Sequence, residues 1–364
     1  MKVLYLTNIP SPYKVNFFNE LAKKCDLTVI YERESASDRD KNWKAEMANG
    51  YEIIFLKGRL IGTDSSISLG AINYIKNKIF DAIIFGVYHT MTAMITMQYL
   101  QLKKIPFVLS SDGGFVKEDN VIKYNLKKHF ISMASLYLSP GGKTNKYLEH
   151  YGAQPDKIYW YPFTSIYEKD ILKKKISNTD KQMLRKKLGL KEENILLSVG
   201  QMIPRKGHDI LIKAMRYVRG NVGLYIIGGN PTDEYLNLIR NAHLENVHFV
   251  DFKNKEELYE YYKASDLFVL ATREDIWGLV VLETLGAGLP VVTTERCNSG
   301  LQLIQNGKNG YIVKCEKPED IGEAINNILP NDLFNECIKS VEEYTFENMV
   351  QQHIKILSEM KGEP

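Results

Sequence analysis

Short apolar runs rich in β-branched residues alternate with stretches of helical period along almost the whole of this 364-residue chain. In the first half, residues 3–7, 27–31, 52–56, 82–85, 107–110 and 136–139 read as strands. A strand buried on both faces shows an unbroken apolar run instead of alternation, and these runs have that form. Between them, residues 13–24, 69–78, 90–102, 124–134 and 144–151 place apolar side chains at helical spacing. A polar, lysine-rich stretch at 168–191 has few large apolar residues in its middle, a shift in composition that predicts a domain boundary. The alternation then resumes, with strand runs at 195–199, 223–227, 247–250, 267–270, 291–293 and 311–313. A last helical stripe over 348–360 carries Val350, Ile354, Ile356 and Leu357. This order predicts an α/β protein with two doubly wound parallel sheets, one over residues 1–165 and one over 166–345. Ligands of such sheets bind beyond the carboxyl ends of the strands, so the loops there carry the candidate chemistry.

Length alone favours two domains, because single cores stop growing near this size. Apolar residues make up 44% and charged residues 25%, as in ordinary globular proteins. The net charge of +3 is too weak to imply a nucleic-acid partner. Clustering says more. Lys123, Lys127, Lys128, Lys143 and Lys146 suit either a solvated helix face or an anionic membrane surface. Lys173, Lys174, Lys175, Lys181, Arg185, Lys186 and Lys187 read as a solvated linker. Cys25, Cys297, Cys315 and Cys337 follow no metal-binding or disulfide pattern, so reduced thiols in a cytosolic protein are expected. The opening apolar run is too short for a signal peptide. Residues 82–102 carry no charged side chain, which raises the question of a membrane span. His89, Thr90, Thr92, Thr96 and Gln98, after a strand-like start, favour a buried strand and helix instead.

The most informative segment runs from Arg273 to Pro290. It places Asp275 at the end of a strand, a turn at Gly278, and Glu283 on the helix that follows. Backbone N–H groups of Gly278, Leu279 and Val280 would then open that helix, where a phosphate is favoured. Carboxylates beside a phosphate site suit a ligand that also offers hydroxyls. Leu279, Val281, Leu282 and Leu285 read as the buried face of the same helix. A second loop, between Gly200 and Gly207, carries Arg205 and Lys206. Such a pair neutralises a diphosphate, Arg by forked hydrogen bonds and Lys as a point charge, or is simply solvated. Phe252 follows another strand, where an ordinary core ring and a ring packed against a ligand both stay open. In the first half, Asp112 lies in a glycine turn, either orienting a hydroxyl or serving the turn itself, with His89 as a rival. Ser11 to Lys14 bridge the first strand and first helix at the expected cleft edge. Asp38 and Asp40 form an Asp-x-Asp pair in a polar run with no strand before it, and Gly286-x-Gly288 precedes a strand, so neither carries the argument.

The spacing from Asp275 to Glu283 resembles the E-x7-E motif of retaining nucleotide-sugar glycosyltransferases of family 4, here D-x7-E, or E-x8-E from Glu274. The 200–207 loop resembles the same family's pattern: Lys206 matches its lysine, while Gln201 stands where it has arginine. Whether Arg205 replaces that arginine is open. Asn298, Ser299 and Gly300 look like the family's loop near the donor sugar, with Gln302 in place of its usual glutamate. The resemblance is specific over 199–207 and 264–290 and loose before 160, and it is nearest to bacterial surface-polysaccharide enzymes. It implies the GT-B fold: two Rossmann-like domains facing a central cleft, acceptor on the first and donor on the second, with a helix of about 346–364 crossing back onto the first. It also implies a metal-independent enzyme without cofactor, moving a sugar from a nucleotide diphosphate, UDP by preference, to a saccharide or lipid-linked saccharide. The expected location is the cytoplasm, with peripheral contact at the inner face of an anionic membrane. The implied catalytic residues are Arg205, Lys206, Asp275 and Asp112. The implied donor-binding residues are Gly200, Gln201, Phe252, Glu274, Trp277, Gly278, Leu279, Val280 and Glu283. Two other functions share this architecture: a nucleotide-sugar epimerase, and a non-catalytic relative that binds nucleotide, to which Gln201 and Gln302 point.

Overall fold

A computed structural model describes residues 1–35, 46–47, 50–61 and 65–361, and the Asp38 and Asp40 pair lies outside them. The chain divides into two units, Met1–Thr164 with Phe346–Pro364, and Ser165–Thr345.

The first unit contains strands β1 (Lys2–Thr7), β2 (Asp26–Tyr31), β3 (Glu52–Phe55), β4 (Arg59–Ile61), β5 (Ser65–Ile67), β6 (Ala82–Phe85), β7 (Val108–Ser110), β8 (Leu136–Ser139) and β9 (Ile158–Trp160). Seven form one parallel sheet in the order β3-β2-β1-β6-β7-β8-β9, and β4 pairs with β5 as an antiparallel hairpin. The order reverses between β1 and β6, so the loops after these strands flank the crevice where such sheets bind ligands. Leu4, Leu6, Ile84, Phe85, Val108 and Leu109 are fully buried, which is why these strands lack polar alternation. The helix Pro12–Leu21 starts with proline at its first turn, where the missing N–H costs nothing, and buries Val15, Phe17, Phe18 and Leu21. Helix Phe346–Lys361 packs on it: the His353 ring lies 4.7 Å from Phe17 and 4.8 Å from Tyr161. Burial pushes the His353 imidazole down to about 4, so it packs there as a neutral ring.

Residues 82–102 fold as β6 and the helix Met91–Leu102, and no helix among the described residues is long and apolar enough to cross a membrane. Two features escape the sequence reading, the β4–β5 hairpin and β9. Tyr159 and Trp160 of β9 are 37% and 39% exposed, so this edge strand never needed an unbroken apolar run.

The second unit holds β10 (Asn194–Val199), β11 (Val222–Ile227), β12 (Val247–Val250), β13 (Leu267–Leu270), β14 (Val291–Thr294) and β15 (Gly310–Val313). They form a parallel sheet in the order β12-β11-β10-β13-β14-β15. Here the order reverses between β10 and β13, which puts the loops after Val199 and Leu270 side by side. The lysine-rich stretch read as a solvated linker is corrected in part. Its centre is the helix Asn178–Leu188, capped by the Ser177 side chain, which accepts from the Asp180 N–H at 3.1 Å. Arg185, only 7% exposed, donates to the carbonyls of Ala264 (2.9 Å) and Glu193 (2.8 Å) and pairs with Asp266. Lys181 joins the same carboxylate at 2.6 Å. This helix is anchored by a buried guanidinium more than by an apolar stripe, and composition cannot show that.

Candidate functional site

The site of the second unit begins with Gly207. Its φ of +69° lies in the left-handed region, and a Cβ there would stand 1.9 Å from the Ala271 carbonyl oxygen. Glycine therefore lets the loop after β10 press directly on the backbone leaving β13. The two loops are stitched together: the Arg205 carbonyl accepts from the Arg273 N–H (2.8 Å) and from Thr272 Oγ1 (2.9 Å). Arg273 forks onto both oxygens of Asp209 at 2.8 Å and donates to the Pro204 carbonyl at 2.6 Å. A bidentate fork of this kind fixes orientation as well as charge.

This frame brings Lys206 Nζ to 2.6 Å from Asp275 Oδ2, with the two side chains 13% and 12% exposed. Arg205 is exposed and donates to the Glu274 carbonyl at 2.8 Å, while the Glu274 carboxylate faces Arg296 at 3.5 Å. Gly200 lies under the Lys206 stem, since a Cβ on it would meet that stem at 3.3 Å. Gln201, half-buried, shares this turn and accepts from the Ile203 N–H at 2.8 Å. His208 is buried beside these groups, and desolvation pushes its imidazole down to about 4, so it adds no charge near neutral pH.

The segment from Asp275 to Gly278 is clamped by residues 296–299, its neighbours in space. The Asp275 N–H donates to Arg296 (2.8 Å), the Asn298 side chain to Ile276 (2.7 Å), and the Ser299 N–H to Trp277 (2.8 Å). Ser299 Oγ donates to the Gly278 carbonyl at 2.9 Å. Gly278 has φ +97°, and a Cβ on it would lie 2.7 Å from Cys297 Sγ, so both conformation and space require glycine. The helix Leu279–Gly286 starts there, and the N–H groups of Gly278, Leu279 and Val280 have no acceptor further back along it. They supply the positive end of the helix dipole three to five residues beyond Asp275. Trp277 is only 2% exposed, so its ring is packed inside and does not line an open face.

Glu283, half-buried, accepts from Ser165 Oγ at 2.7 Å and from the Tyr262 hydroxyl at 2.9 Å. Burial, reinforced by the Glu283 charge, raises the Tyr262 hydroxyl well above its ordinary range, so it remains a donor. An ionised carboxylate has about four acceptor positions, and these two bonds leave room for others. Phe252 is half-buried after β12, two strands from β10. Strand spacing alone separates it from the Lys206 loop by about 10 Å, so the fold does not bring it to the ion pair.

In the first unit, Asp112 follows β7 and accepts from the Tyr13 hydroxyl at 3.0 Å. Lys14 Nζ lies 3.3 Å from the same carboxylate and donates to Thr7 Oγ1 at 2.9 Å, with the residue only 7% exposed. Asp112 is thus tied to the first turn of the helix Pro12–Leu21 and is more than a turn former. His89 is exposed, its ring edge-on to Tyr88 at 6.0 Å. Among the described residues, no group of three or more His, Cys, Asp or Glu could hold a metal ion. Sequence reasoning missed Ser165, Tyr262, Arg273 and Asp209, none of which belongs to a recognisable pattern.

Comparison with known proteins adds an independent line. Residues 180–344 match the family model of glycosyl transferases group 1. The lipopolysaccharide glucosyltransferase WaaG of Escherichia coli is 29% identical over 187 residues, covering 50% of this chain and 49% of WaaG. An uncharacterised glycosyltransferase of Methanocaldococcus jannaschii is 29% identical over 201 residues, covering 51% of each chain. The chain thus spans about half the length of the curated relatives it matches. Among solved structures, Anabaena HepE in complex with UDP and glucose superposes with a TM-score of 0.73 at 18% identity, covering 98% of this chain and 99% of HepE. The crystal structure of WaaG superposes with a TM-score of 0.68 at 18% identity, covering 99% and 100%. The protein therefore has the GT-B fold, and residues 180–344 are similar to the group 1 glycosyl transferases.

Proposed function

We propose that the chain is a retaining glycosyltransferase that moves a sugar from a nucleotide diphosphate, UDP-linked by preference, to an acceptor hydroxyl. The observation that carries this reading is the apposition of Lys206 and Asp275 at 2.6 Å beside the Gly278 helix start. A cation and a helix N-terminus suit the two phosphates, and a carboxylate at the same point suits the hydroxyls of the sugar joined to them. The HepE structure, solved with UDP and glucose on the same fold, supports the ligand class.

In this reading Lys206, Arg205 and the N–H groups of Gly278, Leu279 and Val280 meet charge developing on the leaving diphosphate, and no resident metal is invoked. Asp275 and Glu274 lie by the donor sugar, Glu283 takes ribose hydroxyls, and Phe252 packs near the base. The acceptor oxygen bonds to the anomeric carbon as the bond to the phosphate oxygen breaks, and its proton passes to that departing oxygen. Attack on the face the leaving group vacates retains configuration. Asp112, held by Tyr13 and Lys14, orients the acceptor hydroxyl in the first unit. A saccharide or lipid-linked saccharide acceptor, in bacterial surface-polysaccharide synthesis at the cytoplasmic face of an anionic membrane, fits this family and the lysines near residue 123.

A thermal-shift screen of nucleotide sugars, followed by turnover with the best binder, tests the proposal. Loss of one preorganised donor to a transition-state anion costs roughly 2.7–4 kcal/mol, or about 100- to 1000-fold in turnover. Lys206→Ala within twofold of wild type at saturating donor would remove the assignment. Gln201, in place of a cation, keeps a second reading in view, a nucleotide-binding relative without catalysis. Tight UDP binding with no turnover across an acceptor panel would select it, and conversion of donor alone would select an epimerase.

A further inference from the structure

Strand β8 ends at Ser139 and runs through Pro140 and Gly141 straight into the helix Gly142–His150, whose first residues are Gly142, Lys143 and Thr144. The cap residue, Gly141, has no side chain to cover the first turn. Backbone bonding along the helix begins with the Asn145 N–H, which donates to the Gly141 carbonyl at 3.0 Å. The N–H groups of Gly142, Lys143 and Thr144 therefore meet no acceptor among the described residues. Ser139 Oγ does not close the turn either: it accepts from the Gly141 N–H at 3.4 Å and donates to Asn145 Oδ1 at 2.6 Å. Approach is open, since a Cβ on Gly142 would meet nothing within 4 Å. Lys143 is exposed and makes no ion pair among the described residues. Thr144 gives a second, independent sign. It is 1% exposed, yet its hydroxyl has no partner among the described residues. Side chains of a helix lean toward its N-terminus, so this hydroxyl lies toward the same three N–H groups. A hydroxyl cut off from water and left unpaired is costly, and an oxyanion at that point would accept its hydrogen. Tyr137 stands where a nucleotide-binding phosphate loop has its first glycine, so the seat suits one phosphoryl group and not a nucleotide's chain of them.

We propose that the start of this helix seats a phosphoryl group carried by the acceptor. The N–H groups of Gly142, Lys143 and Thr144 and the Thr144 hydroxyl donate to its oxygens, and the Lys143 ammonium balances its charge. The seat adjoins the loop that bears Asp112. Strand β7 pairs with β8, and the Ser111 N–H donates to the Leu138 carbonyl at 3.0 Å. Gly114 lies against Tyr147 of the same helix, where a Cβ would come within 2.8 Å of the ring. An acceptor is thus held by its anion at one strand end, with its hydroxyl at Asp112 on the next, about 5 Å away by strand spacing. The assignment deepens the proposed function and rests on it only in calling the ligand an acceptor. A soluble phosphate ester and an isoprenoid-linked one offer the same phosphoryl chemistry, and the test separates them.

The test is calorimetry of the full chain with inorganic phosphate, methyl phosphate and citronellyl phosphate, each with UDP at saturation so that the donor side is filled. Saturable phosphate binding is expected, weakened about tenfold in Lys143→Gln and about fivefold in Thr144→Val, with UDP affinity unchanged. Thr144→Val should melt no lower than wild type, because it removes a hydroxyl that has no partner; a hydroxyl serving only the fold would lower the melting temperature. Gly142→Asp sends its side chain into open space and sets a carboxylate over the same N–H groups. It should abolish phosphate binding at an undiminished melting temperature. Citronellyl phosphate binding more tightly than methyl phosphate supports the seat with a lipid-linked acceptor, and the reverse order supports it with a soluble one. The proposal is overturned by a wild-type chain that shows no saturable phosphate binding, or by Gly142→Asp binding phosphate like wild type. Variants that lose UDP together with phosphate overturn it too, since the seat would then belong to the donor. UDP binding without phosphate binding removes the seat and leaves the transferase reading, whereas phosphate binding without UDP binding does the opposite.

Discussion

Glu32 is the most exacting place to test the energetics of the first unit. It directly follows β2, is 1% exposed, and accepts from Ser66 Oγ at 3.1 Å and from Thr90 Oγ1. Ser66 belongs to the β4–β5 hairpin, and Thr90 caps the helix Met91–Leu102, so one carboxyl ties three elements together. Removal from water pushes this carboxyl from an ordinary 4.5 up to about 7, against the opposing pull of those two hydroxyls and of the Arg33 charge. The folded protein therefore keeps a proton that the unfolded chain releases between these values. The sign follows: stability from this group is complete below pH 4.5 and is lost as pH rises toward 7. At about 1.4 kcal/mol per pH unit, the gap between 4.5 and about 7 amounts to about 3 kcal/mol. Glu32→Gln keeps the shape and cannot ionise. The variant should match wild type near pH 4 and exceed it by about 3 kcal/mol at pH 8. A chain of two units need not unfold in one step, so the assay should be local. Hydrogen–deuterium exchange of peptides from 65–100, corrected for intrinsic rate, reports opening of this region. If the difference between variant and wild type did not change from pH 5 to pH 8, the burial argument would fail.

Other outcomes follow from the second unit. On the proposed function a diphosphate would have to displace Asp275 from Lys206, so Asp275→Asn should bind UDP up to about tenfold more tightly by calorimetry while losing sugar transfer. Weaker UDP binding would show that the pair cooperates in holding the nucleotide. Gly278→Ala must place a side chain at φ +97° and 2.7 Å from Cys297 Sγ, costing about 1–2 kcal/mol in backbone strain alone. Turnover should collapse with it; a variant with wild-type kinetics would mean that the turn adapts freely. Arg185→Met leaves two carbonyls and part of Asp266 without their donor and should lower stability by about 1–3 kcal/mol in thermal unfolding. No change there would restore the view of this stretch as a solvated linker.

Much of the architecture was written in local pattern. Both large sheets are parallel with buried central strands, so β6 and β13 announce themselves as unbroken apolar runs and β1 as a nearly unbroken one. The glycine turn at Gly278, the adjacent cations at 205 and 206, and the two acids were legible because strand, turn and helix follow one another in the chain. Pairing across long separations was not. Lys206 meets Asp275 across 69 positions, and Ser165 reaches Glu283 across 118, because the strand order reverses between β10 and β13 and the chain returns from the linker. Nor could composition separate Arg185, buried on carbonyl oxygens, from the exposed lysines beside it. Periodicity records which faces are buried, since burial depends on each side chain's own polarity. Which charges meet depends on how the sheet is wound, and that is decided only when distant segments pack.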